Sequence, residues 1–323
     1  MKKLFLTTAL VVVAVMTAWA QQLKIQPKAV GSNGTKSAVF NVTSSPGLPS
    51  SMTFCGEKID LDREDMYERM DFEMIHLIYN RDRMLWCMKR ANRYFPMLSS
   101  ILKENGVPQD FLYLACTESL LDQNAFSVAK AAGMWQLLAG TARDMGLEVT
   151  AEVDERYDPE KSTQAACKYL KQAYRRFGHW PTVAASYNAG VGRITSELSS
   201  QQQESSFDLY LTAETSRYVF RIMGYKLFFL NPKRYGYRLY RRQLYQPYKY
   251  NTVEVSTAVS SWSSWAKQNN VTYAQLRELN PWIRAKKLTN AAGKTYKVKV
   301  PLEESLYRSK SGRAVFDAAW VVD

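Results

Sequence analysis

Glu118 lies in the stretch from Pro108 to Gln136, PQDFLYLACTESLLDQNAFSVAKAAGMWQ, and its setting favours proton transfer. Pro108 suits the first turn of a helix and Asp110 its positive end, so a helix is predicted to start here. On that helix Phe111, Leu114 or Ala115, and Glu118 recur at spacings of three and four, which places the carboxylate on the face of the apolar residues. Loss of hydration against an apolar wall disfavours the charged form. A glutamate in that position stays protonated near neutral pH and serves as a general acid. The same spacing also fits a glutamate at the solvent border of a helix's last turn.

Other chemistries find less support. The only two histidines are His76, in a helical stripe, and His179, in a turn beside Trp180, and both read as structural. There is no GxSxG, HExxH, paired CxxC or glycine-rich phosphate loop, so neither metal nor cofactor is expected. What remains is acid/base work by a carboxylate among polar groups, the style of glycoside cleavage.

The elements that must position Glu118 are mainly helical. From Asp60 to Asn105 Met66, Met70, Met74, Leu77, Met84, Met88, Phe95, Leu98 and Leu102 recur at helical spacing, predicting two or more helices with a methionine-rich core face. Residues 122–140 read as a loop of small residues, followed by a short helix stopped at Gly146. Asp158-Pro159 opens a strong helix closed by Gly178, Trp180-Pro181 opens the next, and another runs from Ala213 to Leu230. From Asn251 the texture changes. Thr252–Val255 and Tyr296–Val300 alternate like strands around two helical stretches, a strand-helix-helix-strand module.

At 323 residues and 46% hydrophobic content the chain can bury a real core, in two modules. Residues 1–20 read as a secretory signal: two lysines, an apolar run, then Ala18-Trp19-Ala20 as a cleavage site, with an uncleaved anchor as the alternative. No later stretch reads as a membrane span, and no cysteine follows the cleavage site to carry a lipid. The expected organisation is a flexible lead over 21–56, a helical catalytic module over 57–236, a basic tyrosine-rich linker over 237–250, the small module over 251–302 and a tail over 303–323. Without Lys2 and Lys3 the chain has 41 basic and 30 acidic residues, a formal charge of +11. Outside the cytoplasm an anionic cell-wall polymer or envelope surface fits such a charge, and nucleic acid does not; a basic protein with no polyanion partner is equally compatible. Between Glu214 and Glu254 nine Lys and Arg residues interleave with eight tyrosines and no acid, which suits a packed linker or a glycan surface. Cys55, Cys87, Cys116 and Cys167 permit two disulfides in three pairings, but Cys116 and Cys167 lie on apolar faces where free thiols are common, and no bridge is assigned.

Three ordered blocks, Thr117-Glu118-Ser119, Gly133-Met134-Trp135-Gln136 and Ser186-Tyr187-Asn188-Ala189-Gly190-Val191-Gly192, resemble the signature of lytic transglycosylases of the goose-type lysozyme fold. RANRYFPMLSSILKENGVP, VDERYDPEKSTQAACKYL and ETSRYVFRIMGYKLFFLNPKRYG are similar to the membrane-bound lytic murein transglycosylase D group, so the likeness covers about residues 57–236. VTYAQLRELNP and the closing YKVKVP resemble a LysM module, although Val255-Ser256-Thr257-Ala258 replaces its usual glycine-aspartate turn, which leaves glycan binding there open.

The resemblance implies a mainly α, lysozyme-like (SLT) catalytic domain with a small α+β LysM-like module, acting on peptidoglycan glycan strands in a periplasm or cell envelope. It assigns Glu118 as acid and then base in forming a 1,6-anhydro-muramyl product. Ser119 and Tyr187 are expected to hydrogen-bond near Glu118 or substrate, Gln136 and Asn188 to hold sugar or its N-acetyl groups, and Met134 to line the cleft. Ser186, where alanine is usual, and Leu137-Leu138-Ala139 depart from the family pattern. A muramidase of the same fold using water, or a non-catalytic wall-binding protein, are the competing readings.

Overall fold

The computed structural model describes residues 45–308 and 313–323. The expected signal, and the lead as far as residue 44, lie outside the described residues. The first elements among the described residues form a hairpin, β1 (Ser51–Phe54) and β2 (Glu57–Asp60), paired antiparallel from Ser51↔Asp60 to Phe54↔Glu57. Its two-residue turn, Cys55 (φ 52°) and Gly56 (φ 90°), has positive φ at both positions, as tight hairpins require. Residues 51–56, expected as the end of a flexible lead over 21–56, belong to this hairpin instead. Phe54 is fully buried against Phe111, 6.3 Å between ring centres, and the amide of Cys55 donates to Asp110 at 2.5 Å. A Ser/Pro/Gly-rich composition hid a strand whose anchor is one aromatic side chain.

Helices α1 (Glu64–Tyr79) and α2 (Arg81–Glu104) follow, separated by Asn80 alone. Met66, Met70, Met74 and Leu77 line the buried face of α1, and Met84, Cys87, Met88, Ala91, Phe95, Leu98 and Leu102 that of α2, so the methionine stripe is core. After a 3-10 turn at Gln109–Phe111 come α3 (Leu112–Ser119), α4 (Ala139–Asp144), α5 (Pro159–Phe177), α6 (Trp180–Ala189), α7 (Val191–Ser200) and α8 (Ala213–Leu230). Asp158 caps α5 by accepting from the amides of Glu160 and Lys161, and Gly178 ends it in the left-handed region, the two signals legible in sequence. Helix α8 is the centre of the module. It is apolar on nearly every side and packs against α1, α3 and α6, burying Tyr218, Val219, Phe220, Ile222, Met223, Tyr225, Phe228 and Phe229. Its approach to α1 is close: a Cβ on Gly224 would meet Leu77 Cδ1 at 2.7 Å.

The basic tyrosine-rich stretch is packed, not exposed as a spacer. Tyr237, Leu239 and Leu244 are buried in the helical core, the Tyr237 hydroxyl donates to the carbonyl of Ile78 at 2.8 Å, and Arg93 on α2 lies over the rings of Tyr245 and Tyr248 at 5.2 and 4.4 Å. The small module is β3 (Tyr250–Val255), α9 (Trp262–Gln268), α10 (Tyr273–Leu279) and β4 (Tyr296–Pro301), its strands antiparallel from Tyr250↔Pro301 to Val255↔Tyr296. It has its own core around Trp262, Trp282, Ile283, Leu276 and Val298.

The end of the chain is no tail. After β4 and a short turn of helix, α11 (Glu303–Leu306), residues 315–321 pack on the helical module. Val321 bridges Leu239 in parallel, and Trp320 is buried among Phe95 (5.8 Å), Phe229 (5.0 Å) and Phe316 (5.5 Å). The side chain of Asn92 accepts from the amide of Phe316 at 2.8 Å and donates to the carbonyl of Tyr245 at 2.9 Å, joining three distant segments. The four cysteines are free thiols.

Candidate active site

Helix α3 is eight residues long and presents Glu118 one residue from its end. Leu112, Leu114, Ala115 and Cys116 anchor it in the core, and Leu120 (φ 55°) and Leu121 (φ 59°), both left-handed, turn the chain away. Two successive leucines in that region are costly, and such outliers concentrate where surrounding structure holds a functional geometry. Glu118 is partly buried, and its carboxylate accepts a short hydrogen bond from the hydroxyl of Tyr218 on α8. Burial pushes the Glu118 carboxyl up to about 7, while the Tyr218 hydroxyl and the Arg221 charge pull it down and Glu214 pushes it up. Phe111 and Leu114, expected on the face of Glu118, are fully buried.

Around it runs a charge network that the sequence reading did not assign. Glu73, 2% exposed on α1, accepts from Arg221 Nε at 2.9 Å and lies 3.7 Å from Arg217, while Arg221 also reaches Glu214 at 3.1 Å. Burial opposes the Arg221 charge, but Glu73 and Glu214 hold the guanidinium firmly protonated. A fixed cation thus stands behind Glu118 and favours its anion once the proton is gone. Glu214, Tyr218 and Arg221 are spaced four and three on α8, a face that helical periodicity could have revealed.

The loop 122–138 follows and is tied to the end of α3. Ser119 Oγ donates to the carbonyl of Met134 at 2.8 Å and accepts from the amide of Asp122 at 3.2 Å, pinning the helix end to the loop, with no bond to Glu118. The Met134 side chain is 1% exposed in the core, so it does not line the cleft as expected: the loop turns this apolar side chain inward and offers its carbonyl instead. Trp135 is buried beside it, with its indole donating to Thr163 Oγ1 at 2.8 Å. Gln136, at φ 47°, donates its side-chain amide to the carbonyls of Gly133 (2.8 Å) and Ala125 (3.3 Å), closing the loop on itself. Tyr187 on α6 donates to the carbonyl of Trp135 at 2.7 Å and packs edge-on against Tyr169, and burial together with the Glu118 charge holds its hydroxyl well above the ordinary tyrosine range. Asn188 is exposed, and its Oδ1 accepts from Thr215 on α8 at 3.0 Å. Ser119, Met134, Gln136 and Tyr187 thus meet through the loop's backbone, and Asn188 lies on the neighbouring turn.

Gly133 is fixed by packing as well as by conformation. It has φ 76°, and a Cβ there would stand 1.8 Å from the carbonyl oxygen of Arg156. Gly133→Ala is expected to destabilise the chain by more than about 2 kcal/mol, read from the denaturant midpoint, because neither backbone can yield. The two histidines are structural: His179 pairs with Glu57 at 2.6 Å, and His76 stacks on Phe72 at 4.2 Å.

Residues 97–210 match the transglycosylase SLT domain family, and residues 251–304 match the soluble lytic transglycosylase C-terminal LysM-like domain. The first range holds Glu118 and all five expected binding residues but stops short of Tyr218. The chain is 33% identical over 155 residues to the membrane-bound lytic murein transglycosylase D of Escherichia coli, covering 46% of this chain and 34% of that protein. It is 39% identical over 93 residues to a peptidoglycan transglycosylase of Escherichia phage T7, covering 28% of this chain and 7% of that one. Among solved structures it is similar to the lytic transglycosylase Slt of Pseudomonas aeruginosa, 25% identical with a TM-score of 0.37 over 41% of this chain and 23% of that one. The chain spans about a third of the length of the murein transglycosylases D it matches. It carries a transglycosylase SLT domain followed by a LysM-like C-terminal domain, homologous to membrane-bound lytic murein transglycosylase D.

Proposed function

We propose that this chain cleaves the β-1,4 bond between N-acetylmuramic acid and N-acetylglucosamine in peptidoglycan by lytic transglycosylation, with Glu118 as both acid and base. What carries the reading is the setting of Glu118, which lies within the range that matches the SLT domain, is partly buried, and accepts a hydrogen bond from Tyr218 of α8; burial lifts its carboxyl to about 7. Near neutral pH it gives its proton to the glycosidic oxygen as the C1–O bond breaks. The resulting carboxylate, favoured by Tyr218 and Arg221, takes the proton of the muramyl C6 hydroxyl while that oxygen bonds to C1 and closes the 1,6-anhydro ring. The proton inventory of Glu118 is restored. Because the nucleophile belongs to the sugar, no second carboxylate has to activate water, and Glu73 and Glu214 are free to serve Arg221.

In this reading Gln136 and the exposed Asn188 receive N-acetyl and hydroxyl groups of the sugar, while Ser119 and Tyr187 hold the loop between them through the carbonyls of Met134 and Trp135. The substrate is wall glycan, reached after export to the periplasm or cell envelope; the excess of basic residues suits an anionic polymer there. Among the described residues no helix is long and apolar enough to cross a membrane. The test is digestion of purified sacculi. Soluble fragments whose new ends resist borohydride reduction support the reading, and reducible ends assign hydrolysis instead.

A prediction separates Tyr218 from a packing role. Its hydroxyl stabilises the Glu118 anion, so Tyr218→Phe should raise the Glu118 pKa further and move the basic limb of the pH–activity profile upward from about 7 by about one pH unit. A tyrosine that only fills space would leave that limb in place.

A further inference from the structure

The LysM-like module is joined to the catalytic module by more than its linker. Val153, from the segment before α5, is 1% exposed and belongs to the apolar core of the small module. Its neighbours continue the contact as a two-sided backbone ladder: the amide of Asp154 donates to the carbonyl of Trp282 at 2.9 Å, and the amide of Arg284 to that of Glu152 at 2.8 Å. Polar contacts flank it. Lys294 reaches Glu148 at 2.8 Å, Lys299 and the Tyr250 hydroxyl both reach Glu160, and Arg284 lies 4.0 Å over the ring of Tyr157.

The same segment carries Arg156, which is 6% exposed. Its guanidinium is forked onto Asp154, and its Nη1 donates to the carbonyls of Lys130 at 2.9 Å and Leu137 at 3.1 Å, which flank the part of the loop that holds Ser119 through Met134 and Tyr187 through Trp135. Asp154 is therefore bonded on one side to the small module and on the other to the cation that clamps the active-site loop. We propose that the LysM-like module is a fixed buttress of this loop, with Arg156 the positioning residue that transmits its docking to the ground around Glu118. The proposal rests on reading Glu118 as the acid.

The test uses the full chain with Val153→Asp, which sets a carboxylate into the apolar core of the docked module, and Arg156→Met with Arg156→Lys beside it. Hydrogen exchange is followed in peptides covering 131–137, with α8 as reference, and kcat and KM are measured on soluble glycan fragments. Both Val153→Asp and Arg156→Met are expected to speed exchange of the loop about tenfold and to lower kcat about tenfold, with KM within about twofold, and Arg156→Lys is expected to recover part of each loss. If Arg156→Met fails to fold, Val153→Asp carries the test alone. Undocking of the small module with loop exchange and kcat unchanged would overturn the proposal, as would a loss confined to KM. The exchange measurement does not depend on catalysis, so an inactive parent with a loosened loop in the variants refutes the functional reading and leaves the coupling standing.

Discussion

Glu118→Gln will abolish release of soluble fragments from sacculi, by at least about a thousandfold, because in the proposed mechanism one group is both the acid and the base and each role alone contributes on the order of 10²–10⁴. The same substitution will stabilise the fold at alkaline pH. The Glu118 carboxyl has its ordinary value near 4.5 in the unfolded chain and about 7 in the folded one, so the folded state holds the proton more tightly. Below pH 4.5 both states are protonated and the substitution is nearly neutral. As pH rises through 7 the parent must ionise a buried carboxyl or keep a proton that the unfolded chain has already lost, and the stability tied to that proton disappears. Glutamine does not titrate, and by linkage its advantage at pH 8 approaches 3 kcal/mol to order of magnitude. Thermal unfolding of both proteins at pH 4 and pH 8 measures it: a difference that grows with pH is expected, and one that shrinks or stays flat would place Glu118 outside the buried setting described here.

Trp320→Ala carries the largest expected loss of stability. The indole is fully buried among Phe95, Phe229 and Phe316, and its Nε1 donates at 3.0 Å to the carbonyl of Phe229 in the last turn of α8. A carbonyl at that position has no partner within its own helix, so the indole both fills the core and caps the helix that carries Tyr218. Truncation leaves a cavity and an orphaned acceptor, for an expected cost of about 3–5 kcal/mol in equilibrium denaturation. Were residues 303–323 a dispensable tail, the substitution would change the midpoint very little.

These two residues mark the limits of the sequence reading. The face that carries Glu118 was legible because its argument is local, a three-and-four spacing of Phe111, Leu114 or Ala115, and Glu118 along one short helix, whereas the part of acid came from the resemblance of the three ordered blocks. The βααβ order of the small module was legible for the same reason, since alternation and helical spacing are both properties of neighbours. Tyr218 was not, because its partner lies 100 residues away and only the packing of α8 against α3 brings them together. Met134 was misplaced because the resemblance speaks of a residue's presence and not of which of its atoms is used. Here the backbone carbonyl serves Ser119 and the side chain serves the core. The hairpin at Ser51–Asp60 and the returning C-terminus were lost to composition, where short polar-rich segments conceal single anchors such as Phe54 and Trp320.

The central claim is that the sugar's own hydroxyl, with Glu118 moving its proton, replaces water at C1. Mass spectrometry of muropeptides released in heavy-oxygen water tests it most directly. Anhydro-muramyl ends without the heavy isotope from the parent, and no products from Glu118→Gln, are the predicted result. Reducing ends carrying heavy oxygen, or equal product from Glu118→Gln, would contradict it.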